Sequence, residues 1–536
     1  MSSSAASSTV ARRNVLLLVA DDLGKQLGCY GCTYSETPEI DRLAAEGIRF
    51  DLAFASTASC SGSRSTLYTG LHTHQNGQYG LGSGKHHFMT FDHIDTAPAA
   101  FSRNGYRTGI IGKIHVGPDT VYPWDVRDES FTRDVSWIAD RAGLFFRSAS
   151  SSGAISEQEP SSSTVADNRP FFLTIGFHDP HRDQTRGGFG NDEAVDTNRV
   201  HRRVFHPDDV TVPTFLSDTP RVRREIASYA EAINRLDQGV GMVLEELHVS
   251  GKAKDTLVVF ISDNGPPFLN SKTTLYDAGT CLPLIIRLPT DTINPPSKPS
   301  GSAGPSHPGN PNLVSYVDVL PTLLDWALGS DKAAGDVEAN GRAGRSFLSL
   351  LDATTQLPEW DHVFGSHTFH ESTNYWPTRY IRTRRYKYHR NIAWRLDFPF
   401  ANDLYGSFTW EDVRNTPAAD GVKKIGSRPL KDYFFRPPEQ LYDLVADPEE
   451  VHDLASDASY HDVLVDLRTR LEDWQRRTND PWLYRDGVSV LLNKRHLDAG
   501  LSIPDRWDLD IDNIATKTPN LPLYENKPFN VRGPRS

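Results

Sequence analysis

Cysteine is scarce, with four residues in a chain of 536, too few for the disulfide framework of a small secreted scaffold. Cys29 and Cys32 form a Cys-x-x-Cys pair. With no second such pair they read as buried or loop cysteines in a reducing compartment. Long apolar runs are missing too: none approaches the ~20 residues that cross a bilayer, so no membrane partner is expected. The first fourteen residues are rich in Ser and Ala, carry Arg12-Arg13 and lack an apolar h-region, so a secretory signal is not expected there. Residues 1–13 are expected to be disordered, and the protein cytoplasmic. Basic excess is absent as well. Lys and Arg total 57 against 69 Asp and Glu, a net charge of −12, which argues against nucleic acid as a bulk partner.

What remains is a soluble globular composition, 38% hydrophobic and 24% charged, in a chain too long for one small core. From Asn14 to about Leu350, apolar strand runs alternate with helical stretches, the pattern of an α/β domain. Ile226, Tyr229, Ile233, Leu236, Val240, Val243 and Leu247 recur at helical spacing and predict one long helix over Arg223 to Leu247, with a core-packing face. Surface loops are expected at 148–168 and 290–312, where Ser, Pro and Gly crowd. Beyond about Trp360 the texture changes. Tyr380–His389 reads as one antiparallel strand, Gln440–Leu444 as another, and His461–Arg476 as an amphipathic helix. The expected division is a large catalytic domain over 14–358 and a smaller α+β domain over 359–536.

Four strand runs end in chemically active residues. Asn14–Ala20 runs into Asp21-Asp22, Arg107–Ile111 into Lys113 and His115, Pro170–Phe177 into His178 and His181, and Thr256–Ser262 into Asp263-Asn264. Ligand chemistry gathers outside the carboxyl ends of parallel strands, so these ends should converge on one crevice. Asp21, Asp22, Asp263 and Asn264 offer oxygen alone, which suits one hard cation, Ca²⁺ or Mg²⁺. Cys60 opens a predicted helix, where the dipole and free N–H groups favour an anionic nucleophile and an oxyanion ligand. Arg64 lies one turn on and would hold charge there. Lys113 and Lys272 suit a transferring anionic group, and His115 and His181 suit acid–base work. His178 reads as structural. His367, His370, Glu371 and Arg379 are candidates for a substrate rim.

Together these residues resemble the sulfatase family of the alkaline-phosphatase-like superfamily. The resemblance is carried by Val19-Ala20-Asp21-Asp22-Leu23-Gly24, Thr37-Pro38-Glu39-Ile40-Asp41-Arg42, Cys60-Ser61-Gly62-Ser63-Arg64, Gly112-Lys113 and Ser262-Asp263-Asn264-Gly265. Further stretches, His74-Gln75-Asn76-Gly77, Phe177-His178-Asp179-Pro180-His181 and Asn479-Asp480-Pro481-Trp482, are similar to its sulfamate-hydrolysing branch. The resemblance implies a large mixed sheet sandwiched by helices and a smaller C-terminal α+β domain. It also implies hydrolysis of a sulfamate or sulfate ester, most often on an amino sugar. In that family the motif cysteine is oxidised to formylglycine, whose hydrate attacks sulfur. Carried over, Cys60 is the residue converted and joins Asp21, Asp22, Asp263 and Asn264 around one Ca²⁺. Arg64, Lys113 and Lys272 would balance charge. His181 would protonate the departing atom, and His115 would deprotonate the remaining hydroxyl. The implied partners are a small-molecule or saccharide sulfate and a formylglycine-generating activity, and a homodimer is the expected assembly.

The pattern departs at Gly62, where the family has Pro or Ala at a position the modifying enzymes read. Two other readings therefore stay open: a phosphoester or phosphonate hydrolase of the same superfamily, and a calcium-bearing binder of sulfated ligands with unmodified Cys60.

Overall fold

The computed structural model describes residues 13–147, 169–290, 309–417 and 421–483. The expected disordered segment up to residue 12, the loop at 148–168, residues 291–308 of the second loop, and 484–536 lie outside the described residues.

The large sheet has eight strands: β1 (Asn14–Ala20), β2 (Ile48–Phe54), β3 (Arg107–Gly112), β4 (Val126–Glu129), β5 (Phe171–Gly176), β6 (Thr256–Ser262), β7 (Cys281–Arg287) and β8 (Asn310–Ser315). Their order is β4-β3-β5-β1-β6-β7-β2-β8. The strands from β4 to β6 are parallel, while β7 runs antiparallel to both its neighbours. β1 is buried along its whole length because both faces are covered. Its side chains alternate, so Leu16, Leu18 and Ala20 pack against the Val135–Arg147 and Pro220–Val249 helices on one side. Val15, Leu17 and Val19 pack with residues of the Cys60–Thr69 and Val319–Leu328 helices on the other. Each such leucine or valine contributes about 1.5–3 kcal/mol by leaving water. Among the described residues, no helix is long and apolar enough to cross a membrane.

The long helix starts three residues earlier than the periodicity predicts, because Pro220 suits its first turn and Thr219 Oγ1 accepts from Val222 N at 3.2 Å. Residues 310–312, placed by composition in a loop, are the first part of β8, paired beside β2. Asn310 and Asn312 are buried there. Their side-chain amides donate to the carbonyls of Leu350 (2.6 Å) and Thr355 (3.0 Å), which is why polar residues sit in a strand.

A second, antiparallel sheet joins β9 (His362–His367), β10 (Thr378–Thr383), β11 (Tyr386–Asn391) and, beyond the two-residue ribbon strands β12 (Lys424–Ile425) and β13 (Arg428–Pro429), β14 (Glu439–Asp443). Its order is β14-β11-β10-β9. The single strand expected over Tyr380–His389 is instead a hairpin, with Arg384 and Arg385 at its turn. Alternation continued through a tight turn looks like one strand in sequence. The His461–Arg477 helix lays Leu464, Leu467, Leu471 and Trp474 on Ile381, Tyr388 and Leu441. The two sheets are stitched at β9 and β10, where Ser366 N donates to Ser56 O (2.8 Å) and Tyr380 OH to Ala55 O (3.2 Å).

Candidate active site

The four strand ends singled out from sequence belong to adjacent strands, β3-β5-β1-β6. Their registers align Ala20 with Ser262, Val19 with Gly176, and Gly176 with Gly112. Backbone bonds continue the alignment past the strands: Asp263 N donates to Ala20 O (3.0 Å), Asp21 N to Asp179 O (3.1 Å) and Lys113 N to Gly176 O (2.7 Å). Parallel pairing therefore delivers three aspartates, a lysine and two histidine-bearing loops to one place.

The turns that follow are conformationally unusual. Asp22 and His115 hold positive φ, 64° and 58°, and so do Asn270 and Thr273, which flank Lys272. Each left-handed non-glycine residue costs on the order of 1–3 kcal/mol and persists where surroundings over-determine it. At Asp22 the surroundings are clear: Tyr229 OH donates to its carbonyl (2.8 Å), and its own N–H donates to Asp263 Oδ1 (3.1 Å).

The carboxylates are enclosed by cations. Lys113 Nζ bonds Asp21 Oδ2, Arg64 Nε donates to Asp263 Oδ2 (2.9 Å), and Lys272 Nζ donates to Asp22 Oδ2 (2.8 Å). All six side chains are at most 3% exposed. Burial opposes ionisation of Asp21, but Lys113, His181, His178 and Arg64 hold it well below the usual carboxylate range. Burial and its anionic neighbours win at the other two, lifting Asp22 to about 6 and Asp263 to about 7. At Asp22 and Asp263 one cation each does not offset burial and the neighbouring carboxylates.

The donor set fits a hard divalent cation. Asp21 Oδ1 and Asn264 Oδ1 are buried without a hydrogen-bond partner. Asn264 turns its amide nitrogen to Asp22 Oδ1 (2.7 Å), which leaves its oxygen free. Ligand atoms of Asp21, Asp22, Cys60 and His181 lie within 4.8 Å of one another. His181 thus stands nearer the oxygen set than its sequence position suggests, while Asp263 is engaged by Arg64 and the Asp22 amide.

Cys60 begins the Cys60–Thr69 helix, as expected, and its Sγ is 3.8 Å from Asp22 Oδ1. Ser59 does not cap this helix, because its hydroxyl is bonded to His370 Nδ1 (2.9 Å). The first-turn N–H groups are therefore left for a ligand. Burial pushes the Cys60 thiol well above its ordinary range, outweighing Lys113 and Lys272. Burial therefore favours its neutral thiol form over the thiolate. Gly62 is tightly packed: a Cβ there would come within 2.9 Å of Thr57 Cγ2 and 3.3 Å of Thr73 Cγ2.

His181 donates from Nδ1 to Arg182 O (2.6 Å), since a carbonyl only accepts. Its Nε2 then accepts from Lys272 Nζ (3.3 Å). Burial, reinforced by Lys272, lowers its pKa well below the ordinary value, so it rests neutral. His115 is likewise neutral through burial and Lys113, with a buried and unpartnered Nδ1. His178, read from sequence as structural, stands at the site. Its Nδ1 is 3.5 Å from Asp21 Oδ2, and its ring stacks on His181 at 5.3 Å.

The sulfatase family model matches residues 13–330. The chain belongs to the sulfatase family. It is 38% identical over 494 residues to human N-sulphoglucosamine sulphohydrolase, covering 89% of this chain and 92% of that one. A Bacteroides fragilis sulfatase candidate shares the fold with a TM-score of 0.63 at 18% identity, over 89% of this chain and 98% of that one. A structure in complex with D-glucosamine-2-N,6-O-disulfate superposes with a TM-score of 0.56 at 19% identity, over 88% and 98% of the two chains.

In this sulfatase the four candidate rim residues divide. Arg379 is not at a rim: it is fully buried in a two-pronged ion pair with Asp480 (2.7 and 3.0 Å). His367 is also interior, its Nδ1 bonded to Thr57 Oγ1 at 2.8 Å. His370 is buried beside the Cys60–Thr69 helix, close enough to Lys272 and Asp403 to feel both charges. Glu371 is half-buried and accepts from Asn402 N at 3.3 Å. Sequence reading missed Asp403, whose Oδ2 accepts from Lys272 Nζ at 2.7 Å. Burial opposes its charge, but Lys272, His181 and His370 keep it ionised. No strand end or motif announces it, because the short Asn402–Tyr405 helix comes from the second half of the chain.

Proposed function

We propose that this sulfatase hydrolyses the N-sulfate of an amino sugar, with formylglycine derived from Cys60 and one Ca²⁺. The observation that carries the reading is the convergence at one point of an oxygen donor set, Cys60 at an uncapped helix start, three buried cations and two neutral histidines. The amino-sugar N-sulfate rests on the likeness to the human enzyme.

Asp21, Asp22, Asp263 and Asn264 would hold the cation, which when bound polarises sulfuryl oxygens and lowers the pKa of a hydroxyl beside it. Hydrated formylglycine supplies a hydroxyl nucleophile where the buried thiol supplies none. Lys113 and Lys272 are placed to draw charge from sulfuryl oxygens, and Arg64 to fix Asp263 and the backbone at Lys113 O (3.1 Å). His181, with Nδ1 pinned and Nε2 unprotonated at rest, directs Nε2 to the departing nitrogen and would pass on a proton that Nε2 first takes up from water at the open end. His115 takes a proton from the hydroxyl left behind. A saccharide is the expected partner, and a cytoplasmic location and a homodimer belong to the same proposal.

Peptide mass spectrometry of the Cys60 segment, on protein from its native host, tests this. A loss of about 18 Da, thiol to aldehyde, together with sulfate release from N-sulfoglucosamine is expected. An unmodified thiol on protein that still releases sulfate would refute the nucleophile, and converted protein inert to the sulfamate would refute the substrate.

A further inference from the structure

The site is deep at one end and open at the other. Asp21, Asp22, Asp263 and Arg64 are 0% exposed, whereas His181, His178 and Asp403 side chains are 22%, 17% and 19% exposed. Phe131, more than half exposed, sets its ring edge-on to His178 at 5.6 Å and marks the same opening. A saccharide is too large for the deep end, so its sulfuryl group goes inward and its departing atom faces these three residues.

Asp403 is a carboxylate of this opening that lies outside the oxygen donor set. Its rotamer is fixed, with Oδ1 accepting from Leu404 N (2.9 Å) and Oδ2 from Lys272 Nζ (2.7 Å). Glu371 secures the segment by accepting from Asn402 N (3.3 Å). As a counter-ion Asp403 is surplus, because Lys272 already has Asp22 at 2.8 Å. Lys272 is thus shared by two buried carboxylates, and one ammonium cannot neutralise both, which leaves Asp403 able to take a second cation.

The two substrate classes differ at this point. Cleavage of a sulfate ester breaks S–O and leaves an alcohol, neutral after one proton is returned. Cleavage of a sulfamate breaks S–N and leaves an amine, which takes one proton to depart and a second from water to become an ammonium. Only the second product places a positive charge at the opening.

We propose that Asp403 sets selectivity for sulfamates over sulfate esters by binding the nitrogen that becomes an ammonium, an inference that rests on the amino-sugar reading above. The test uses the full-length protein with Asp403→Asn, which keeps shape and removes charge, and Asp403→Glu, which keeps charge. Turnover of N-sulfoglucosamine and of N-acetylglucosamine 6-O-sulfate, whose nitrogen is uncharged, gives a ratio of kcat/KM values. NMR titration with glucosamine and with uncharged N-acetylglucosamine reads recognition of the ammonium, even where Cys60 remains a thiol.

Asp403→Asn should lower the sulfamate-to-ester ratio at least tenfold and weaken glucosamine at least tenfold more than N-acetylglucosamine, with partial recovery in Asp403→Glu. Equal losses on both substrates and both sugars, in a variant with an unchanged melting temperature, would overturn the inference and leave Asp403 a positioning residue for Lys272. Converted wild-type protein inert towards the sulfamate, yet binding glucosamine through Asp403, would sink the substrate reading and keep the ammonium site.

Discussion

Replacing Arg379 with Met tests the placement that most changed between sequence and structure. The guanidinium meets both oxygens of Asp480 (2.7 and 3.0 Å) and donates from Nη1 to His367 O (2.7 Å) and Thr378 O (3.0 Å). Both partners are fully buried. Methionine keeps most of the aliphatic stem and deletes the charged head. Asp480 would retain Gln475 Nε2 (2.8 Å) and Trp482 N (3.0 Å), not enough to compensate an unpaired interior carboxylate. Breaking one side of a buried pair costs roughly 3–5 kcal/mol, whereas replacing both sides with apolar groups is often near neutral. Arg379→Met should therefore lower amide-exchange protection in β9 and β10 by roughly 10²- to 10⁴-fold. Arg379→Met with Asp480→Leu should recover most of it. Native-state hydrogen exchange on the three variants reads the coupling directly. A single variant that keeps its protection while losing affinity for sulfated saccharide would return Arg379 to the substrate and refute the reasoning.

Two further outcomes follow from the site. Asp22 and Asp263 have folded-state pKa values raised to about 6 and about 7 by burial and anionic neighbours, above the ordinary 3.8. The folded, ion-free protein thus binds protons more tightly than the unfolded chain, and stability from these groups falls as pH rises from about 4 through about 7. Calcium competes with those protons, so its stabilisation, ~2.7 kcal/mol at a hundredfold excess over Kd, should be fuller at pH 8 than at pH 5.5; equal calcium-induced Tm shifts at the two pH values would contradict this. Gly62→Ala should cost about 1–3 kcal/mol by overpacking against Thr57, because the new Cβ meets Cγ2 at 2.9 Å. Adding Thr57→Ser, which deletes that methyl, should restore much of the loss in a calorimetric melt, and a Gly62→Ala protein as stable as wild type would show that Thr57 yields freely.

The catalytic half was legible because its signals are local. Unbroken apolar runs such as Val15–Ala20 and Thr256–Ser262 have the composition of doubly covered parallel strands, and each ends in the residues that parallel pairing must bring together. The second half was legible only in part. Alternation through the Arg384–Arg385 turn hid a hairpin there, and within the large sheet itself polar Asn310 and Asn312 hid a strand start.

The sequence by itself determined which residue types reach the strand ends, since strand period and register leave them no other address. Tertiary structure decided what lies around them. Asp403 crosses from the second half to Lys272 over 131 positions, and Arg379 turns inward to Asp480 across 101. Contacts of that span depend on how two sheets dock, through Ser366 on Ser56 and Tyr380 on Ala55. No local pattern of charge or hydrophobicity encodes the docking, so burial decides there which arginine is a strut and which aspartate faces the opening.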